Sequence, residues 1–167
     1  AGMKPVGTIP HALIIIMGST AAATLAFDRE MDPQVPRFAL VDTFEDEVRE
    51  SVAVAKAMKG RLSGVRLDTP SERGRVTAEL VKEVRAWLDL ENFRDARIAV
   101  SGGLDPERIR YFLGERAPID LFAVGGYISD AQPLDFTADL HEVDGRPIAK
   151  RGRMPGLTPN PRLKRVM

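Results

Sequence analysis

Cysteine is absent from this chain of 167 residues. That absence excludes a disulfide framework and thiolate chemistry, and it removes the commonest ligands of a structural zinc site. Net charge is missing too, because 24 basic residues meet 24 acidic ones. No polybasic stretch offers itself to nucleic acid or to a membrane surface, so neither is expected as a partner. Histidine is scarce: His11 and His141 stand too far apart to start a metal cluster. The apolar run over residues 12–18 is too short for a bilayer span, and Asp28-Arg29-Glu30 closes the segment that holds it. No charged leader with an apolar centre and a cleavage site opens the chain, which points to the cytoplasm. Lysine is rare, 6 against 18 arginines, and there are 12 prolines, a balance compatible with heat adaptation.

What is present is a rhythm. Four short apolar runs, at residues 38–41, 64–67, 97–100 and 121–124, each end in polar or glycine-rich residues. Those ends are Asp42-Thr43, Asp68-Thr69, Ser101-Gly102-Gly103 and Gly125-Gly126. Helix-like segments at residues 45–58, from Arg73 through Leu88, and after Pro106 separate them, so the pattern is repeated βα units. Ser71 reads as the cap of the second of these helices. In the first, Val48, Val52, Ala55 and Met58 form the expected apolar face. Upstream, residues 11–31 read as one buried helix, because length and alanine content outweigh three consecutive isoleucines. Downstream, residues 136–150 read as a β-hairpin turning at Asp144-Gly145, followed by an aperiodic tail.

Four βα units cannot close an eight-stranded barrel of about 250 residues. The chain is therefore either a small open sheet or the later part of a larger enzyme, and the apolar segment at 12–27 favours the second.

Ligands of such units gather where strands hand over to loops. Asp68, two residues after Arg66, is costly to hold beside a buried strand unless it is paired. It either accepts hydrogen bonds from a ribose diol, with Arg66 facing a phosphate or carboxylate, or forms a structural ion pair or cap. Asp42 stands among Glu45 and Asp46 and is the candidate for magnesium, whose shell substrate phosphates complete. Ser101, Gly102, Gly103, Gly125 and Gly126 can present backbone N–H groups to phosphate. His11, after a loop containing Thr8, can act as a phosphate ligand, an acid or base, or a phosphoryl acceptor, or simply cap and pack. His141 reads as structural.

The ordered motifs Gly7-Thr8-Ile9-Pro10-His11, Leu40-Val41-Asp42-Thr43, Val65-Arg66-Leu67-Asp68-Thr69, Ser101-Gly102-Gly103-Leu104-Asp105 and Val124-Gly125-Gly126 resemble those of the nicotinate phosphoribosyltransferases. The resemblance implies an α/β fold of the type II phosphoribosyltransferase kind. Residues 1–135 would be the later half of an α/β barrel, and residues 136–167 a hairpin and tail packing on a β-rich N-terminal domain outside this chain. It implies a homodimer or higher oligomer. The implied reaction transfers a 5-phosphoribosyl group from phosphoribosyl diphosphate to nicotinate, with Mg2+ and with ATP as a co-substrate of some members. His11 then corresponds to the histidine phosphorylated by ATP, and Arg66 and Asp68 to residues touching substrate and ribose. Gly102, Gly103, Gly125 and Gly126 correspond to the 5′-phosphate cradle, and Asp42 lies near diphosphate and magnesium. Relatives often follow Arg-x-Asp with Ser-Gly-Asp, where this chain has Thr69-Pro70-Ser71-Glu72. The alternatives are a quinolinate phosphoribosyltransferase, disfavoured here by the scarcity of lysine away from helix surfaces, and a non-catalytic phosphate-binding module.

Overall fold

A computed structural model describes residues 9–130, 140–149, 151–157 and 159–161. Thr8 and residues 136–139 and 150 of the expected hairpin lie outside them. The chain divides into two compact units, Ala1–Ala131 and Gln132–Met167.

Parallel strands β1 (Phe38–Leu40), β2 (Gly64–Leu67), β3 (Arg97–Val100) and β4 (Leu121–Phe122) form one sheet in the order β1-β2-β3-β4. Each strand therefore pairs with its neighbour in sequence, as in a barrel segment. The helices are α1 (His11–Met17), α2 (Thr20–Glu30), α3 (Glu47–Met58), α4 (Ala78–Leu90), α5 (Pro106–Gly114) and the short α6 (Gly126–Ser129).

Side-chain alternation along the strands gives the sheet two different faces. Ala39, Val41, Val65, Leu67, Ile98 and Val100 point one way, into a core with Val54 and Met58 of α3, Val81, Val84 and Leu88 of α4, and Phe112 of α5. Leu40 points the other way, into a small cluster with Ile9, Ile14 and Ala23. Register matches Leu40 with Arg66 and Arg66 with Ala99, so Arg66 shares Leu40's face. Continuing the same register beyond the strands brings Asp42, Asp68 and Ser101 to one level on that face.

Several boundaries differ from those read in the sequence. The expected single helix over 11–31 is two helices bent by 106°, because Gly18 turns left-handed (φ 71°) and Ser19 caps α2 through the Ala22 N–H. Nor is this segment uniformly buried: Ile16 is 81% exposed. Among the described residues no single helix is long and apolar enough to cross a membrane. The helix expected from Arg73 starts at Ala78, capped by Thr77, and Ser71–Arg73 is a separate 3-10 turn that ends at left-handed Gly74. On α3 the buried stripe is Glu47, Glu50, Ser51, Val54, Ala55 and Met58, rotated from the expected one by two polar carboxylates that found partners.

In the second unit, β5 (Glu142–Val143) and β6 (Arg146–Pro147) pair antiparallel around Asp144 (φ 50°) and Gly145 (φ 75°). Both central residues are left-handed, as a two-residue turn of type I′ requires. The His141 Nδ1 donates to the Met154 carbonyl oxygen at 2.6 Å.

Phe112 is 1% exposed and stacks against Tyr111 and Phe122. Phe112→Ala is expected to lower unfolding stability by about 3–5 kcal/mol, read as a shifted urea midpoint with an unchanged slope.

Candidate active site at the strand ends

The site begins with a charged group in the middle of the sheet. Arg66 is only 9% exposed, and a guanidinium so placed must be satisfied on the spot. It donates to Asp68 Oδ2 at 3.2 Å, to Ser101 Oγ at 2.9 Å and to the Ile9 carbonyl at 3.0 Å. Ser101 in turn donates its hydroxyl to Asp68 Oδ1 at 2.9 Å, closing a triangle across the ends of β2 and β3. Asp68 is thus paired as the ion-pair reading required, and its side chain still keeps 23% exposure towards the open end.

The turn after Ser101 is shaped around that triangle. Gly102 (φ 87°) and Gly103 (φ 59°) are both left-handed, a conformation glycine adopts without a Cβ clash. A methyl group on Gly102 would lie 2.8 Å from Asp68 Oδ1, so the bare backbone also permits the carboxylate's close approach. Gly125 and Gly126 differ. They follow β4 without positive φ, and nothing lies within 4 Å of where a Cβ would stand. Internal packing gives no reason for glycine there.

His11 opens α1, and its Nε2 stands 3.1 Å from both carboxylate oxygens of Asp42. The Asp42 side chain is 2% exposed while that of His11 is 40% exposed, so the carboxylate is buried and its histidine partner faces outward. Burial pushes the Asp42 carboxyl above its usual range; the His11 contact opposes this, and the charges of Asp68 and Glu47 add to it. The structure therefore brings together His11, Asp42, Arg66, Asp68, Ser101, Gly102 and Gly103. It sets Gly125 and Gly126 on the adjacent strand end, and Thr8 is outside the described residues.

Two further carboxylates, Glu47 and Glu50 of α3, belong to the surroundings of the site although charges at a helix start commonly face solvent. Glu50 is buried and accepts from Thr20 Oγ1 at 2.7 Å and from the N–H groups of Phe44 at 2.7 Å and Glu45 at 3.0 Å. It fixes the loop that follows Asp42. Glu47 is buried as well and accepts from Thr69 Oγ1 at 2.6 Å. Their spacing with Val54 and Met58 (47, 50, 54, 58) is the signal the sequence carries, masked by their charge. Among the described residues no three His, Cys, Asp or Glu side chains converge as a metal cluster. At the opposite end of the strands, a concavity includes Arg37 and Arg61, but both guanidiniums are paired with Asp28.

Comparison with known proteins bears on this geometry. The family model described as quinolinate phosphoribosyl transferase, C-terminal domain, matches residues 1–139. A solved structure described as nicotinate-nucleotide pyrophosphorylase from Pyrococcus furiosus is 47% identical, with a TM-score of 0.73 over 93% of this chain and 39% of that one. Nicotinate phosphoribosyltransferase pncB2 from two strains of Mycobacterium tuberculosis is 34% identical over 151 residues, 86% of this chain and 31% of the relative. The chain thus spans about a third of the length of these proteins. The fold is an α/β fold with a parallel sheet, a C-terminal hairpin and high similarity to a phosphoribosyltransferase-type barrel.

The nicotinate-specific resemblance is corrected by the family match and the solved structure, which favour the quinolinate phosphoribosyl transferase family. The physical reason lies in the motifs themselves. Their strand-end carboxylates and glycines are of kinds that suit a ribose and a phosphate, which phosphoribosyl transfer to either pyridine would share. Lysine scarcity was a poor discriminator in a chain whose basic residues are mostly arginine.

The raised Asp42 carboxyl sets a sign for pH dependence. The folded state holds this proton more tightly than the unfolded state, so Asp42's contribution is complete below the unfolded value and is lost as pH rises through the folded one. The stability of the wild type relative to Asp42→Asn should therefore fall as pH rises through the acid range. Urea titrations at successive pH values measure it, and a flat difference contradicts the assignment.

Proposed function

The chain belongs to the family of quinolinate phosphoribosyl transferase C-terminal domains, and on that premise we propose that it serves the transfer of a 5-phosphoribosyl group from phosphoribosyl diphosphate to quinolinate. The products are nicotinate mononucleotide, diphosphate and carbon dioxide, in the service of NAD synthesis. The observation that supports this best is the Arg66–Asp68–Ser101 triangle with Gly102 against the Asp68 carboxylate. It sets a hydrogen-bond acceptor suited to ribose hydroxyls beside exposed backbone suited to phosphate.

The chemistry follows from charge. Breaking the bond between the anomeric carbon and diphosphate leaves positive character on that carbon, and the pyridine nitrogen forms the new bond. Loss of the ring carboxylate next to the nitrogen leaves an electron pair on the ring, which a proton then fills. No side-chain nucleophile is needed for the transfer. Asp42 and Asp68 would stabilise the positive character, Arg66 and Ser101 would hold Asp68 in place, and the Gly102-Gly103 turn would orient the phosphate. Glu50 would keep the loop after Asp42 from relaxing.

The residues suit magnesium only in its phosphate-assisted mode, with Asp42 as one carboxylate ligand, since three carboxylates act on one another here without forming a closed cage. When bound, magnesium would neutralise the leaving diphosphate. ATP enters this reading only through His11. Incubation with labelled ATP tests that step: an acid-labile phosphoryl group on His11 makes ATP a co-substrate, and its absence with activity intact leaves His11 as Asp42's partner. We also propose that β1 to β4 form the later half of a type II barrel, completed by further chain and working as a homodimer or higher oligomer.

Quinolinate and nicotinate assayed side by side with phosphoribosyl diphosphate and magnesium test the main reading. Nicotinate mononucleotide formed from quinolinate with stoichiometric carbon dioxide is expected. Turnover of nicotinate alone refutes it. Asp68→Asn should lower kcat/KM by about 100-fold or more with little change in unfolding midpoint, a loss on the scale of one preorganised electrostatic contact.

A further inference from the structure

The loop after Asp68 ends in an arginine whose conformation is unusual. Pro70 accepts from the N–H groups of both Arg73 and Arg75 at 3.0 Å, and Gly74 N–H donates to Ser71 at 3.0 Å. These bonds wind the loop tightly and leave Gly74 (φ 90°) and Arg75 (φ 64°) left-handed in succession. Glycine tolerates that backbone, whereas an arginine there is strained. The next residue, Val76, is 2% exposed, and its carbonyl accepts from Arg108 at 2.6 Å, so the loop is anchored immediately beyond the strained position.

That strained backbone delivers the Arg75 guanidinium onto the Gly102-Gly103 turn. A side chain on Gly103 would collide with it. Among the described residues Arg75 makes no ion pair, and the carboxylate in its field is Glu72, which already holds bonds from its own backbone N–H and from Ser71. If the position served only to close the loop, glycine would do so without strain. An arginine fork left open beside two left-handed glycines is instead suited to a phosphate oxyanion, which it can grip with parallel N–H bonds.

We propose that Arg75 is a substrate-binding residue that closes the Gly102-Gly103 turn over a phosphate group of the phosphoribosyl donor. For the identity of that donor the inference rests on the phosphoribosyl-transfer reading. The 5′-phosphate and the diphosphate share the chemistry, and the experiment separates them.

Calorimetry on the full chain measures the affinity for ribose 5-phosphate, inorganic diphosphate and phosphoribosyl diphosphate without any pyridine present. Arg75→Ala should weaken phosphoribosyl diphosphate by about 10- to 100-fold, the size of a lost charge-assisted contact. A parallel loss for ribose 5-phosphate assigns the 5′-phosphate, and one for diphosphate assigns the leaving group. Arg75→Gly is the structural control: it relieves the left-handed strain, so it should unfold at equal or higher urea yet bind as weakly as Arg75→Ala. Full affinity in Arg75→Gly for all three anions overturns the proposal. Arg75-dependent anion binding in a protein that turns over nicotinate and not quinolinate would refute the quinolinate reading and leave Arg75 in place. A wild type that binds none of the three overturns both.

Discussion

A guanidinium taken out of water on a central β-strand loses several kcal/mol of hydration, and the fold keeps it only by supplying partners on the spot. Arg66 is that group. Its partners come from three separate parts of the chain: the Ile9 carbonyl before α1, Asp68 at the end of its own strand, and Ser101 at the end of β3. Meeting its needs therefore ties together the N-terminal segment, the Asp68 carboxylate and the Ser101-Gly102-Gly103 turn. Its Nε remains without a protein partner among the described residues, the one polar atom of the group left to a water or a ligand. Replacing Arg66 by lysine would keep a charge and lose the fork that reaches both Asp68 and Ser101.

The sheet can support this cluster because its two faces do different work. Val65, Leu67, Ile98 and Val100 bury one face beneath α3, α4 and α5. The residues between them are free to be polar where the strand ends open. That division was legible in the sequence: short apolar runs ending in Asp, Ser and Gly at four successive positions are what parallel strands with functional ends look like. The strand positions, the Pro106 helix start and the Asp144-Gly145 turn all follow from local chemistry that acts over a few residues.

What was not legible depended on partners distant in sequence. Gly18-Ser19 carried a stop and a cap side by side, but alanine content and a long apolar stretch masked them, so one helix was expected where two meet at 106°. Ser71 looked like a cap until Gly74 and Arg75 both turned left-handed and moved the helix start to Ala78. Glu47 and Glu50 read as solvent-facing charges because their hydroxyl and amide donors, Thr69, Thr20 and the loop at 43–45, are remote or non-helical. The choice of pyridine substrate was out of reach for a further reason: the recognisable motifs suit the sugar and its phosphates, while the two candidate substrates differ in a ring carboxylate.

Glu50 and Asp42 together show how burial alone fails to identify a working group. Both carboxylates are almost wholly removed from solvent. Glu50 receives a hydroxyl and a fan of backbone N–H groups, so its charge is satisfied and its role is to hold a loop. Among the described residues Asp42 has only the His11 ring nitrogen, and its carboxyl is held above its usual range as a result of burial. A buried carboxylate so sparsely compensated gains more than Glu50 from any positive charge brought near it, whether a cation or the electron-poor carbon of a departing sugar. The difference in hydrogen-bond supply, not the difference in depth, is what sets Asp42 apart from Glu50 as the carboxylate open to a further positive partner.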